Sequence, residues 1–171
     1  MIPRIKKILF TTDLSDSARY SFRFAADIAA HYGAGIVAMH VIDDIPHNIE
    51  ATISGLLGEE KWKELQEKNE QDVRNILIGK KTEKRLIEQA LEIFFGKFQN
   101  AFPEGTGQFE IIVEKGNVVE KIIEHSEKNE CDLIVMTYHS RNMLAETIIG
   151  GVTRKVLKRS KKPVLLVPVT E

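Results

Sequence analysis

Short apolar runs alternate with helical periodicities along most of this chain. Lys6–Thr11 (KKILFT) carries a continuous Ile8-Leu9-Phe10 core, and Gly35–Val41 (GIVAMHV), Phe109–Glu114 (FEIIVE), Leu133–Thr137 (LIVMT) and Pro163–Val169 (PVLLVPV) read in the same way. Runs of this length and residue type are strands, and their lack of polar alternation predicts burial on both faces, as in a parallel sheet. Pro168 cannot donate to a ladder, which predicts an edge strand or an irregular strand end. After the first strand, Ser15 is the expected N-cap, with Asp16 in the first turn where a carboxylate suits the helix dipole. Phe22, Ala25, Ala26 and Ala29 then recur at helical spacing until Gly33 and Gly35. Helices are also expected over 118–129, with Val119, Ile122 and Ile123 apolar, and over 151–159.

The middle of the chain reads differently. Residues 42–58, with Pro46, Gly55 and Gly58, are expected to be loop, and residues 59–102 to be a helical insertion broken near Gly79, with Thr82 as a second N-cap. Trp62, Leu65 and Asn69 share one face, and after Gly79 the apolar set resumes with Leu86, Ala90, Leu91, Phe94, Phe95 and Phe98. The aromatic set Phe94, Phe95, Phe98 and Phe102 reads as core. The segment nevertheless exceeds what one crossover helix requires, which leaves open a contact with an unidentified protein partner through 59–102. The alternation β-α-β-α-β-α-β-α-β predicts a doubly wound α/β sheet in a single domain spanning 1–171, with a right-handed first crossover.

Composition narrows the function classes. At 171 residues with 43% hydrophobic and 29% charged positions and a net charge of −1, the chain is expected to be a cytoplasmic globular protein with no nucleic-acid partner and no membrane association. No leader peptide is expected at its start. One cysteine, Cys131, excludes an internal disulfide and reads as a small buried apolar residue. The histidines are scattered without metal-ligand spacing, so no metal site is expected from them. The basic cluster of Arg154, Lys155, Lys158, Arg159, Lys161 and Lys162 is accounted for by the dipole at a helix C-terminus.

Candidate chemistry sits in two loops. Cys131–Val152 (CDLIVMTYHSRNMLAETIIGGV) runs from a strand through a polar loop to Gly150-Gly151 at a helix start. That arrangement offers unpaired backbone N–H groups to an anion. The second loop is Thr11-Thr12-Asp13. His139 has no nucleophile at a recognisable spacing, so no catalytic residue is assigned.

Three blocks, KKILFTTDLSDSARYSFRFAADIA, GNVVEKIIEHSEKNECDLIVM and IIGGVTRKVLKRSKKPVLLVPV, resemble the universal stress protein family in order and spacing. The resemblance implies a five-stranded parallel sheet in the order 3-2-1-4-5, with the switch point between strands one and four, where open α/β sheets bind ligands. It also implies an adenine-nucleotide-binding-like site for ATP, with Mg entering only with the nucleotide. Asp13 would meet the ribose, Val41 the adenine, and the backbone of Gly151 and Val152 the phosphates, with Thr12 and Met136 in the same site. The ATP-binding branch carries a Gly-x2-Gly-x9-Gly-Ser/Thr loop. Its glycine positions fall here on Thr137, Ser140 and Gly150, and its Ser/Thr on Gly151, so the motif is degenerate. Strain of about 1–3 kcal/mol at each replaced glycine would weaken binding roughly ten- to ten-thousand-fold in total. Against that, the hydroxyls of Thr137 and Ser140, and Arg141 beside them, would serve as phosphate contacts. The family's dimers imply a homodimer through Val164–Val167. Three functions stand at this point: a non-enzymatic stress-response protein holding ATP, a structural homodimerisation module with an empty site, and a slow ATP hydrolase or phosphotransferase using His139 and Arg141.

Overall fold

The structure, a computed structural model, describes residues 4–43, 48–68, 83–99, 107–140 and 149–170. In chain order the elements are β1 (Lys7–Thr11), α1 (Ala18–Tyr32), β2 (Gly35–Ile42), α2 (Ile49–Leu57), α3 (Glu59–Lys68), α4 (Glu83–Gln99), β3 (Phe109–Lys115), α5 (Val118–Lys128), β4 (Leu133–Ser140), α6 (Gly151–Arg159) and β5 (Val164–Thr170). The five strands form one parallel sheet in the order β3-β2-β1-β4-β5, as the family resemblance implied. Leu9 stands opposite Val37 on one side and Ile134 on the other, which places the most continuous apolar runs at the centre.

Alternation along the strands divides the interior into two layers. Ile8, Phe10, Ile36, Ala38 and Val135 face α1, α2, α3 and α4. Leu9, Val37, Met39, Ile134 and Met136 face α5 and α6. Burial of successive residues on opposite faces is why the strands lack polar alternation. The first face is knitted by aromatic rings: Phe22 of α1 lies 5.2 Å from Phe10 and 4.6 Å from Phe95, and Phe95 lies 5.3 Å from Phe109. The described helices of this region pack on the sheet and on one another, with α4 over β3 and α2 against α3 and α4. Phe94 and Phe95 are buried core, and Arg19 sits 5.6 Å above the Phe94 ring. Phe102 and the break expected at Gly79–Thr82 lie outside the described residues.

Three local expectations need correction. Residues 49–57, read as loop, form α2. Asn48 caps it by accepting from Ala51 N at 3.1 Å, and Ile53, Leu56 and Leu57 turn inward. Next, α1 begins at Ala18 and not after Ser15; the Ser15 carbonyl accepts from Ala18 N, and Ser17 occupies the cap position without a side-chain bond. Finally, β4 continues past Thr137 to Ser140, because Thr137, Tyr138, His139 and Ser140 pair with Val167, Pro168, Val169 and Thr170 of β5. Pro168 sits on that outer strand, where a missing N–H is tolerated. Gly33 ends α1 in the left-handed region at φ 63°. Gly35 opens β2, as expected, and a Cβ there would lie 2.9 Å from the Gln108 carbonyl oxygen.

Cys131 is fully buried, and burial pushes its thiol from 9.0 up to about 11. It should resist thiol reagents at pH 8 and label at the rate of unfolding, a difference that reagent kinetics in and out of denaturant will measure. The unfolded thiol ionises near 9.0 while the folded one holds its proton to about 11. Unfolding thus releases a proton, and this group's share of stability is lost as pH rises from 9 toward 11. Labelling of the native protein at the free-thiol rate would contradict the packing.

Candidate functional site

The turn after β1 is held by its own short bonds. Thr12 N–H donates to the Met39 carbonyl at 2.9 Å, and the Thr12 hydroxyl oxygen accepts from Leu14 N at 3.0 Å. Asp13 Oδ1 accepts from Ser15 N at 3.0 Å. His40 of β2, expected to be packed or hydrogen-bonded in the core, is half-buried with its Nδ1 2.9 Å from the Thr12 carbonyl. A carbonyl only accepts, so that ring nitrogen carries the proton. Leu14 adopts φ 62°, an uncommon conformation for a branched side chain, while its side chain is 3% exposed in the core. The outcome is a rigid turn with Asp13 exposed at its tip.

The second loop begins farther along than expected. Two positions matched to motif glycines, Thr137 and Ser140, lie in strand backbone. Thr137 donates its hydroxyl proton to Ser21 Oγ of α1 at 2.8 Å, so its side chain joins β4 to α1. Met136 and Val41 are buried in the layer beneath α5 and α6. The side chains of Ser140 and His139, and the whole of Arg141, lie outside the described residues. At the far end of the loop, Gly150 occupies the cap of α6, and its carbonyl accepts the first intrahelical bond from Arg154 N. The amides of Gly151, Val152 and Thr153 precede that bond and have no acceptor within the helix. Neither glycine has a positive φ, and a Cβ added to either would meet nothing within 4 Å.

Because β1 and β4 are adjacent and parallel, their carboxyl ends share one edge of the sheet. From there α6 must run back to β5, which starts opposite Ile134, so its N-terminus belongs to the same edge. The Asp13 turn and the glycine-led helix start thus lie at the same edge of the sheet. Beside Asp13 a cavity of about 80 Å³ is lined by Leu14, His40, Val41, Ile42, Ile49, Thr52, Glu83 and Ile87. Its outer wall comes from α2 and α4, and sequence reasoning assigned no site residue to either. No spacing pattern links Glu83 to Asp13; only the folding of the insertion onto the sheet does so. Among the described residues no group of three or more His, Cys, Asp or Glu is arranged to hold a metal ion, and no helix is long and apolar enough to cross a membrane.

The sequence profile of the universal stress proteins matches residues 4–168. This chain belongs to the universal stress protein family. A universal stress protein of Methanocaldococcus jannaschii, MJ0577, is 29% identical over 163 residues, covering 95% of this chain and 94% of the relative. The solved structure of MJ0577 superposes with a TM-score of 0.61 at 25% identity and covers 99% of both chains. A universal stress protein solved in complex with cAMP has a TM-score of 0.55 at 19% identity, covering 97% of this chain and 98% of its own, which is a likeness of fold.

Proposed function

We propose that this universal stress protein is a cytoplasmic, non-enzymatic regulatory module that holds an adenine nucleotide across the carboxyl ends of β2, β1 and β4. The reading is supported by an exposed Asp13, held by its bond to Ser15 N, and by the amides of Gly151 and Val152, which have no acceptor within α6, at the same edge of the sheet. Asp13 suits a ribose hydroxyl, and the α6 N-terminus suits a phosphate. A relative of the same fold in complex with cAMP supports the choice of adenine. ATP is the expected ligand, with Mg bound only through its phosphates. No catalytic role is proposed.

Two copies are proposed to meet along β5. Val164, Leu165 and Leu166 are only partly buried on this outer strand, and Val152 and Leu157 of α6 are exposed. An apolar strand edge of this kind calls for cover. A second reading, a dimerisation module with an empty site, draws on the cavity itself. At about 80 Å³ it is well below the roughly 300–1,000 Å³ of ordinary ligand pockets. Calorimetric titration of nucleotide-free protein with ATP, AMP and cAMP, with sedimentation of the same samples, separates the two. Heat of binding with a dimer supports the first; a dimer with no heat at millimolar nucleotide leaves the second. A monomer at micromolar concentration removes the β5 interface from both.

A further inference from the structure

Granting the nucleotide reading above, we infer that Glu83 is a specificity-determining residue for the base, selecting a purine with an exocyclic amine over one with a carbonyl at that position. The strands at the switch edge order the ligand. Phosphates belong at the glycine-led start of α6 after β4, and the sugar at Asp13 after β1. The base then falls over the end of β2, where His40, Val41 and Ile42 form the cavity floor. With strands about 4.8 Å apart, β2 and β4 are separated by on the order of 10 Å across β1, a span a nucleotide covers from base to first phosphate. The outer edge of the base therefore meets the opposite wall, which α2 and α4 supply as Ile49, Thr52, Glu83 and Ile87.

The polar groups on that wall are matched to a donor. Thr52 Oγ1 already donates its proton to the Asn48 carbonyl at 3.0 Å, so toward the cavity it can only accept. Glu83, half-buried in the first turn of α4, offers carboxylate oxygens, which accept when ionised. Ile49 and Ile87 flank them with apolar surface for the ring faces. A wall of acceptors pairs with an amine and opposes a carbonyl, whose lone pairs would face the carboxylate unpaired. It also opposes phosphate, which keeps the anionic end of the ligand at α6. Asp13 on the near wall adds a second carboxylate, so the whole cavity favours a donor-bearing group and opposes an anion. The insertion between β2 and β3 thereby gains a role in recognition besides its role in the core.

The test compares ATP with ITP, which has the same phosphates and sugar but a carbonyl where adenine has its amine. Calorimetry on wild type and on Glu83→Gln gives the four affinities. Wild type is expected to prefer ATP by about tenfold or more. In Glu83→Gln the preference should collapse toward unity, because an amide both donates and accepts, while the ratio of ATP to AMP affinity stays at its wild-type value. Equal binding of ATP and ITP by wild type would overturn the role of Glu83 while leaving the nucleotide site standing. So would a preference unchanged in the variant. Absence of binding by either nucleotide would remove both proposals, and thermal melts of the two proteins will separate that result from misfolding.

Discussion

Replacing Phe95 by alanine is expected to remove roughly 3–5 kcal/mol of folding stability. Phe95 is 1% exposed, with ring centroids at 4.6 Å from Phe22, 4.8 Å from Phe94 and 5.3 Å from Phe109, and 6.1 Å from Phe10. Four elements meet at this ring: β1, α1, β3 and α4 itself. Deleting it removes apolar burial, edge-to-face contacts and the seam by which α4 is attached to the sheet. The surrounding rings are held on separate strands and helices, so they cannot all collapse into the gap. Against a typical domain stability of about 5–15 kcal/mol, such a loss takes a large share. Guanidinium unfolding will read it as a lower midpoint. Phe98→Ala, at a partly buried position, should cost less. If Phe95→Ala costs under about 1 kcal/mol, α4 does not dock as described, and the cavity wall built from Glu83 and Ile87 goes with it.

The same cluster marks what the sequence could and could not convey. Phe94, Phe95 and Phe98 fall at helical spacing, so their shared face was legible; that the face meets Phe22 and Phe109 was not, because those partners are remote in the chain. The five strands and both layers were legible because apolar runs bounded by charge and glycine are local signals. Ile49, Ile53, Leu56 and Leu57 carry an equally local signal for α2, at i, i+4, i+7 and i+8, but Gly55 and Gly58 carry a competing loop signal. Gly55 is tolerated inside α2, where a Cβ would only touch Asp16 at 3.9 Å, and Gly58 stands just beyond the helix as its cap. The length of β4 was hidden for another reason. Tyr138 and His139 continue the strand because β5 continues beside them, and a ladder's end depends on both partners. The candidate site divides in the same way. Asp13 and Gly150-Gly151 were found from local chemistry, whereas the bond between Thr137 and Ser21 spans 116 residues and leaves no local trace.

That contrast bears on the glycine pair, for which the second large effect is expected. The variant carrying both Gly150→Val and Gly151→Val should bind ATP at least about a hundredfold more weakly while its melting temperature stays near that of wild type. Fold and function make separable demands here. Gly150 has φ −53° and ψ 151°, and Gly151 is helical, so any L-residue can adopt either backbone conformation. A Cβ at either position meets nothing within 4 Å. Valine is a somewhat better helix former than glycine and a poorer N-cap, two effects of about 1 kcal/mol or less that oppose one another. Nothing in the described packing therefore requires glycine at this point, whereas a ligand drawn close to the amides of Gly151 and Val152 does. A branched side chain on each residue would hold a phosphate away from those amides, and a loss of about 2.8 kcal/mol corresponds to the expected hundredfold. Calorimetry for affinity and a thermal melt for stability read the two demands independently. Should the double variant melt far below wild type, the glycines serve the fold, and the phosphate site at the start of α6 loses its main support. Should it keep both its stability and its wild-type affinity for ATP, the nucleotide lies elsewhere.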